Sequence, residues 1–243
     1  MAWIYTIGLY TAAPAIKLLW RPTIEGLENV PRTGGAVLAS NHLSVADEYM
    51  LGAAVPRHIA FWAKAEYFNT PGVRGWFYKS LMNGLGAIEV RREGGRGALT
   101  AFDAAIPALR AGDLVGVYPE GTRSPDGRLY RGRTGVARLA LLAEVPVIPV
   151  GVIGTAAVQP IGSLMPRIGK PVTIRFGKPL DFTGRTMDSS SLRAITDEVM
   201  TEIQRLTGQE YVGRYAPRRD HASGKRIGED GGDAAGEPTT PQA

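Results

Sequence analysis

Apolar residues in this chain recur in two rhythms. Short apolar runs mark buried strands at Gly35–Ser40, His58–Ala63, Ala87–Val90, Leu114–Tyr118, Val145–Ile153 and Val172–Phe176. Stretches with helical spacing lie between them, near 45–54, 72–82, 97–110 and 132–143. Pro107 is expected to weaken or kink the third of these, since proline donates no main-chain hydrogen bond. Strands alternating with helices build a largely parallel or mixed central sheet flanked by helices. The expected fold is therefore a single α/β domain over residues 21–212, with loops gathered at the strand ends.

The clearest amphipathic pattern falls at 189–207, where Leu192, Ile195, Val199, Ile203 and Leu206 recur at spacings of three and four. Asp188 and Ser189–Ser191 supply capping side chains for this helix, which is expected to dock on the sheet. Residues 213–243 hold Gly, Pro, Asp and Arg with almost no large apolar side chains, a composition that predicts a disordered tail.

The first twenty residues are apolar and rich in aromatic rings. Their uncharged run stops at Lys17 and is interrupted by Pro14, short of the ~20 residues that a single straight spanning helix needs. Trp3, Tyr5, Tyr10 and Trp20 suit a headgroup interface, where a ring buries its body and hydrates its polar edge. Residues 1–20 are thus expected to form a membrane-associated segment. The same pattern would serve a helix packed on its own core. Small residues at 12–15 imitate a signal-peptide cleavage site, but no basic region precedes the apolar run.

Composition narrows the chemistry. Of 243 residues, 44% are hydrophobic and 21% charged, which suffices for a packed core. The absence of cysteine removes disulfides, thiolate metal sites and a cysteine nucleophile. The formal charge is +5, and the tail carries equal numbers of acids and bases, so the excess sits on residues 1–212. A mildly basic body fits phosphate esters, anionic headgroups or nucleic acid; it also simply aids solubility.

The strand at Gly35–Ser40 runs directly into Asn41-His42-Leu43-Ser44-Val45-Ala46-Asp47. Strand ends are where α/β proteins place their sites. Histidine is the natural general base near neutral pH, provided that a carboxylate on Nδ1 fixes its tautomer. On one continuous helix, positions five apart point about 140° away from each other. His42 and Asp47 can therefore meet only if His42 lies in the turn and Asp47 in the first turn of the next helix, with Ser44 as its cap. The pair alone is a weak signal, because a satisfied structural histidine is common. His58, which starts an apolar strand, and His221, in the tail, are poorer candidates.

There is no G-x-S-x-G elbow, Walker A or H-E-x-x-H pattern. A base without an attached nucleophile suggests direct activation of a substrate hydroxyl. A second loop, Pro119-Glu120-Gly121-Thr122-Arg123-Ser124, follows the strand at Leu114–Tyr118. Gly121 lets main chain approach a ligand closely, and Arg123 offers a planar fork for phosphate oxygens. Arg128, Arg131 and Arg133 add charge nearby, and Arg91-Arg92 follow the strand at Ala87–Val90. In a parallel sheet these arginine loops would share the edge that bears His42.

The segments NHLSVAD and YPEGTRS, with Gly86-Ala87-Ile88-Glu89-Val90-Arg91-Arg92 between them and Val145-Pro146-Val147-Ile148-Pro149-Val150 after them, resemble the lysophospholipid acyltransferase family typified by 1-acylglycerol-3-phosphate acyltransferase. The resemblance covers roughly residues 20–180. It implies the glycerolipid acyltransferase fold, with His42 as general base and Asp47 as its orienter. It also implies acceptor binding by Arg92, Glu120, Gly121, Thr122 and Arg123, with Arg123 on phosphate. Arg91 stands where the family usually has Asp, and Tyr118 where it has Phe.

The implied reaction moves a fatty acyl group from acyl-CoA or acyl-carrier protein to the free hydroxyl of a lysophospholipid, at the cytoplasmic face of the cell membrane. It involves no metal and no cofactor beyond the thioester co-substrate. The rival readings are another acceptor on the same scaffold (glycerol-3-phosphate, a different lysophospholipid or a glycolipid), a hydrolase using the same base, and a non-catalytic lipid binder. Nucleic acid is not an expected partner, because aromatic residues are not interleaved with the arginines.

Overall fold

The computed structural model describes residues 3–64, 69, 71–84, 87–90 and 104–217. Its centre is a six-stranded mixed sheet in the order β1-β9-β8-β2-β6-β3. The strands are β1 (Thr23–Glu25), β2 (Ala36–Ser40), β3 (Ile59–Ala60), β6 (Leu114–Val117), β8 (Val147–Ile153) and β9 (Thr173–Phe176). β2 lies in the middle and is buried along its whole length, which explains its unbroken apolar sequence. It runs parallel to β6 on one side and β8 on the other, with Leu38 opposite both Gly116 and Ile148. β9 turns back antiparallel to β8.

The alternation of side chains along β2 divides the core into two layers. Val37 and Ala39 face a cluster built with α6 (Gly135–Ala143) and α8 (Ser189–Thr207), including Leu139, Ile195, Val199 and Ile203. Ala36 and Leu38 face the opposite cluster, with Met50, Leu51 and Ala54 of α3 (Ala46–Ala54). α8 occupies the span its periodicity predicts. The Asp188 carboxylate accepts the Ser191 N–H at 2.9 Å, and Gly208 closes the helix at φ 70°.

Several elements differ from the sequence pattern. The run His58–Ala63 splits at Phe61 into β3 and β4 (Trp62–Lys64). β4 leaves the central sheet and pairs in parallel with β5 (Ile88–Val90). The strand preceding Arg91 and Arg92 thus belongs to a separate two-stranded sheet, and both arginines lie outside the described residues. β1 is too short to show a period. A further small sheet joins β7 (Leu129–Tyr130) to β10 (Tyr211–Val212). The helices expected at 72–82 and 97–110 are α4 (Gly72–Gly84) and α5, which is described over 104–110 with Pro107 inside it. Of the expected tail, residues 218–243 lie outside the described residues.

The apolar N-terminus forms two short helices, α1 (Trp3–Tyr10) and α2 (Ala12–Trp20), that break at Thr11. Pro14 does not cause the break. It sits at the third position of α2, where a main-chain N–H has no intrahelical partner to lose. No helix among the described residues is long and apolar enough to cross a membrane. Tyr5 departs from its expected interfacial place: its O–H donates to the Arg57 carbonyl at 3.2 Å, and its ring meets His58 edge-on. Burial pushes the Tyr5 phenol up to about 12. Ile7, Tyr10, Leu18 and Leu19 do face outward.

Candidate active site

β2 ends in buried Ser40 and Asn41. Asn41 stitches β2 to β8 through its amide: Oδ1 accepts the Val152 N–H at 2.8 Å, and Nδ2 donates to the Val152 carbonyl at 2.9 Å. Nδ2 also donates to Gln209 Oε1 at 2.9 Å. A side chain with both a donor and an acceptor is needed to satisfy one residue's N–H and C=O together. The chain then turns, and His42 emerges at the C-terminal edge of the parallel strands.

His42 Nδ1 lies 2.8 Å from Asp47 Oδ2. That oxygen also accepts the N–H groups of Leu43 at 2.7 Å and Ser44 at 2.9 Å. An oxygen already accepting two main-chain N–H bonds acts as acceptor to the imidazole as well, so Nδ1 carries the proton. The Nε2 lone pair remains for chemistry. Asp47 is in the first turn of α3 and fully buried, while the His42 side chain keeps 14% of its surface exposed. The formal helix cap is Val45, but Ser44 Oγ accepts the Ala46 N–H at 3.0 Å and so does much of the capping.

Two further residues fix the His42 ring and backbone. Tyr118, at the end of β6, stacks on the imidazole with centroids 3.8 Å apart and planes 12° from parallel. Its hydroxyl oxygen is buried without a hydrogen-bond partner, and burial holds the phenol well above its ordinary range. Glu120 is turned inward rather than toward the open edge. Its Oε1 accepts the His42 N–H at 3.1 Å and its Oε2 the Tyr130 N–H at 2.9 Å. Burial raises this carboxyl to about 7 against the opposing pull of the two amides, with Asp47 and Asp126 adding to the rise. The His42 carbonyl in turn accepts the Ser124 N–H at 2.7 Å. The loops after β2 and β6 are therefore tied together on both sides of the base.

Of the sequence-selected residues, the structure brings His42, Asp47 and the Glu120–Arg123 loop to one edge. Gly121 turns there at φ 74°, and a Cβ on it would meet the Arg133 Nε at 3.1 Å. Thr122 and Arg123 are half-buried, and the Arg123 guanidinium has no hydrogen-bond or ion-pair partner among the described residues. The neighbouring arginines are differently employed. Arg128 pairs with Asp126 at 2.7 Å, while Arg131 and Arg133 sit over the Tyr215 ring at 5.4 and 5.0 Å. Arg92 lies outside the described residues. No group of three or more His, Asp or Glu side chains able to hold a metal occurs among the described residues.

α1, α2 and α3 line an open apolar cavity of about 300 Å³ that also takes in Phe61 and Trp62 and reaches Glu48, the neighbour of Asp47. A larger cavity, about 650 Å³, lies near Pro31 and Arg57, where the chain enters the N-terminal ends of the strands, away from His42.

Among the described residues, the site is thus a histidine–carboxylate base with no adjoining protein nucleophile, set beside an arginine without an ion-pair partner on a parallel-strand edge. That defines a class of α/β protein equipped to activate a bound hydroxyl. Residues 21–153, more than half of the chain, match the Acyltransferase family, and the chain belongs to it. The chloroplastic 1-acyl-sn-glycerol-3-phosphate acyltransferase LPAT1 of Arabidopsis thaliana is 33% identical over 153 residues, 63% of this chain and 41% of the plant protein. The chain thus spans less than half the length of that relative. The Bacillus subtilis 1-acyl-sn-glycerol-3-phosphate acyltransferase is 30% identical over 184 residues, covering 74% of this chain and 84% of the other. The crystal structure of the LPA acyltransferase PlsC from Thermotoga maritima superposes with a TM-score of 0.61 at 28% identity, covering 84% of this chain and 79% of the other. The glycerolipid acyltransferase fold expected from the sequence is the fold found.

Proposed function

We propose that this chain transfers a fatty acyl group from an acyl thioester to the free hydroxyl of 1-acylglycerol-3-phosphate, giving phosphatidic acid. The observation that carries the reading is the Nδ1–H of His42 held on Asp47, which leaves Nε2 free at the open edge. Nε2 takes the hydroxyl proton as the oxygen attacks the thioester carbonyl. The tetrahedral intermediate then collapses, the C–S bond breaks, and the imidazolium returns its proton to the leaving thiolate. Acyl-CoA and acyl-carrier protein both supply the required thioester.

Arg123 binds the acceptor phosphate in this scheme, since its guanidinium has no ion-pair partner among the described residues. Gly121 and Thr122 shape the loop that presents it, and Arg92 completes acceptor binding as the family resemblance implies. Glu120 acts through the backbone of His42 instead of touching substrate. The apolar cavity beside α3 fits an acyl chain entering next to the base. Residues 1–20 place the site at the cytoplasmic surface of the cell membrane, where acyl thioesters are made and a two-chain product stays in lipid.

Arg123→Ala tests the acceptor assignment. The KM for 1-acylglycerol-3-phosphate should rise roughly ten- to a hundredfold, as loss of a charge-assisted contact implies, with little change in the KM for thioester. Equal acceptor constants in variant and parent would remove Arg123 from phosphate binding.

A further inference from the structure

The segment between the short helix α7 (Thr155–Val158) and β9 is not explained by the fold or the chemistry. Ile161, Leu164, Met165 and Ile168 are exposed by 40, 92, 77 and 61% of their surface. Four large apolar side chains crowded into eight residues are an unusual outlay in water. The loop is nevertheless built. Gln159 Nε2 donates to the Ser163 carbonyl at 3.1 Å, and the Arg167 N–H donates to the Val158 carbonyl at 2.7 Å. The apolar side chains are therefore presented outward by a closed turn.

We propose that the loop Ile161–Lys170 is a second lipid-inserting element, which enters an anionic membrane surface beside the N-terminal helices. Three observations select lipid as the occupant. Arg167 and Lys170 are exposed within the loop, and no acidic residue occurs from 145 to 180, so the patch matches anionic headgroups around an apolar tip. A two-fold contact with a second copy would instead set these cations against themselves. The patch is also continuous with the outward face of α2. Trp20 Nε1 donates to the Arg167 carbonyl at 2.9 Å, fixing the loop beside exposed Lys17, Leu18 and Leu19.

Gln159, which leads into the loop and whose side chain braces it, also touches the site. The Gln159 carbonyl accepts Ser44 Oγ–H at 2.6 Å, and the Ser44 N–H donates to the carboxylate that orients His42. β8, which feeds the loop, runs parallel to β2, which feeds the base, so both leave the same sheet edge. A loop seated in lipid would hold His42 at a fixed depth for an acceptor arriving laterally. This last point rests on the proposed acyl transfer; the insertion itself does not.

The chain has no cysteine, so Leu164→Cys creates a unique site for an environment-sensitive fluorophore. Thr201→Cys, exposed on α8 across the sheet, is the control. Vesicles of phosphatidylcholine with phosphatidylglycerol should shift the Leu164→Cys label to the blue and leave the control unmoved. In unlabelled full-length protein, Leu164→Ser with Met165→Ser should cut vesicle partitioning at least tenfold at unchanged Tm. Turnover of vesicle-embedded 1-acylglycerol-3-phosphate should fall with it, and that of a short-chain soluble acceptor should not. An unshifted label with undiminished partitioning would overturn the proposal. So would loss of self-association without loss of vesicle binding, which would make a second copy the occupant. A parent protein that binds vesicles through the loop but acylates neither acceptor would contradict the acyl-transfer reading alone.

Discussion

Three N–H groups converge on Asp47 Oδ2, and each constrains the orientation of His42. Asp47→Asn puts an amide where only acceptors belong, or presents its oxygen at the cost of a neutral, weaker partner. Turnover should fall on the order of 10²–10⁴-fold, the scale of a lost base, with much smaller changes in either KM. The spacing of His42 and Asp47 already required a turn followed by a helix start, and the structure has that arrangement. Tyr118 was legible only as a mild replacement, because stacking on His42 depends on two strand ends that the sequence does not show to be adjacent. Tyr118→Phe keeps the stack and removes a buried hydroxyl without a partner. It should leave turnover intact and not lower Tm, whereas Tyr118→Leu should lower turnover and alter its pH profile. Glu120 lies in a polar motif that reads as ligand-facing, and nothing in that motif signals its burial. Its carboxyl is raised from the ordinary 4.5 to about 7. Its contribution to stability is therefore fully present below pH 4.5 and lost as pH rises through 7. Urea midpoints measured between pH 5 and 8 should decline across this window. Glu120→Gln, which cannot ionise, should remove that slope.

At the scale of elements, long apolar runs were the most legible. β2, β6, β8, β9 and the amphipathic α8 fall where periodicity places them. The failures share a cause: β1, β3, β4, β7 and β10 are two or three residues long, too short for a period to register, and pairing with distant strands decides them. Asn41 is a similar case, since its reach to Val152 joins residues 111 apart in sequence. Asn41→Ala would leave a buried main-chain N–H and C=O unsatisfied. It should cost about 2–4 kcal/mol in urea unfolding and weaken activity through the displaced β2 end. The N-terminal helices pack on the core along one side and leave large apolar side chains exposed along the other. Ala13 and Tyr5 pack inward while Tyr10 and Leu18 face out, so one apolar stretch serves the core and an outer surface together.

Over the whole molecule, the sheet separates two tasks. α6 and α8 cover one face and stabilise it; α2, α3 and the 161–170 loop occupy the other, next to the edge where His42 emerges. Exposed apolar side chains of α2 and of the 161–170 loop thus lie on the face that carries α3, whose first turn holds the Asp47 carboxylate against His42. The central claim is that His42 activates the acceptor hydroxyl. Its most direct test is the rate of phosphatidic acid formation from acyl-CoA and 1-acylglycerol-3-phosphate by His42→Ala beside the parent. The parent should release one free thiol per phosphatidic acid formed, and the folded variant should be slower on the order of 10²–10⁴-fold with acceptor affinity retained. Near-parental turnover by a folded His42→Ala protein would contradict the account.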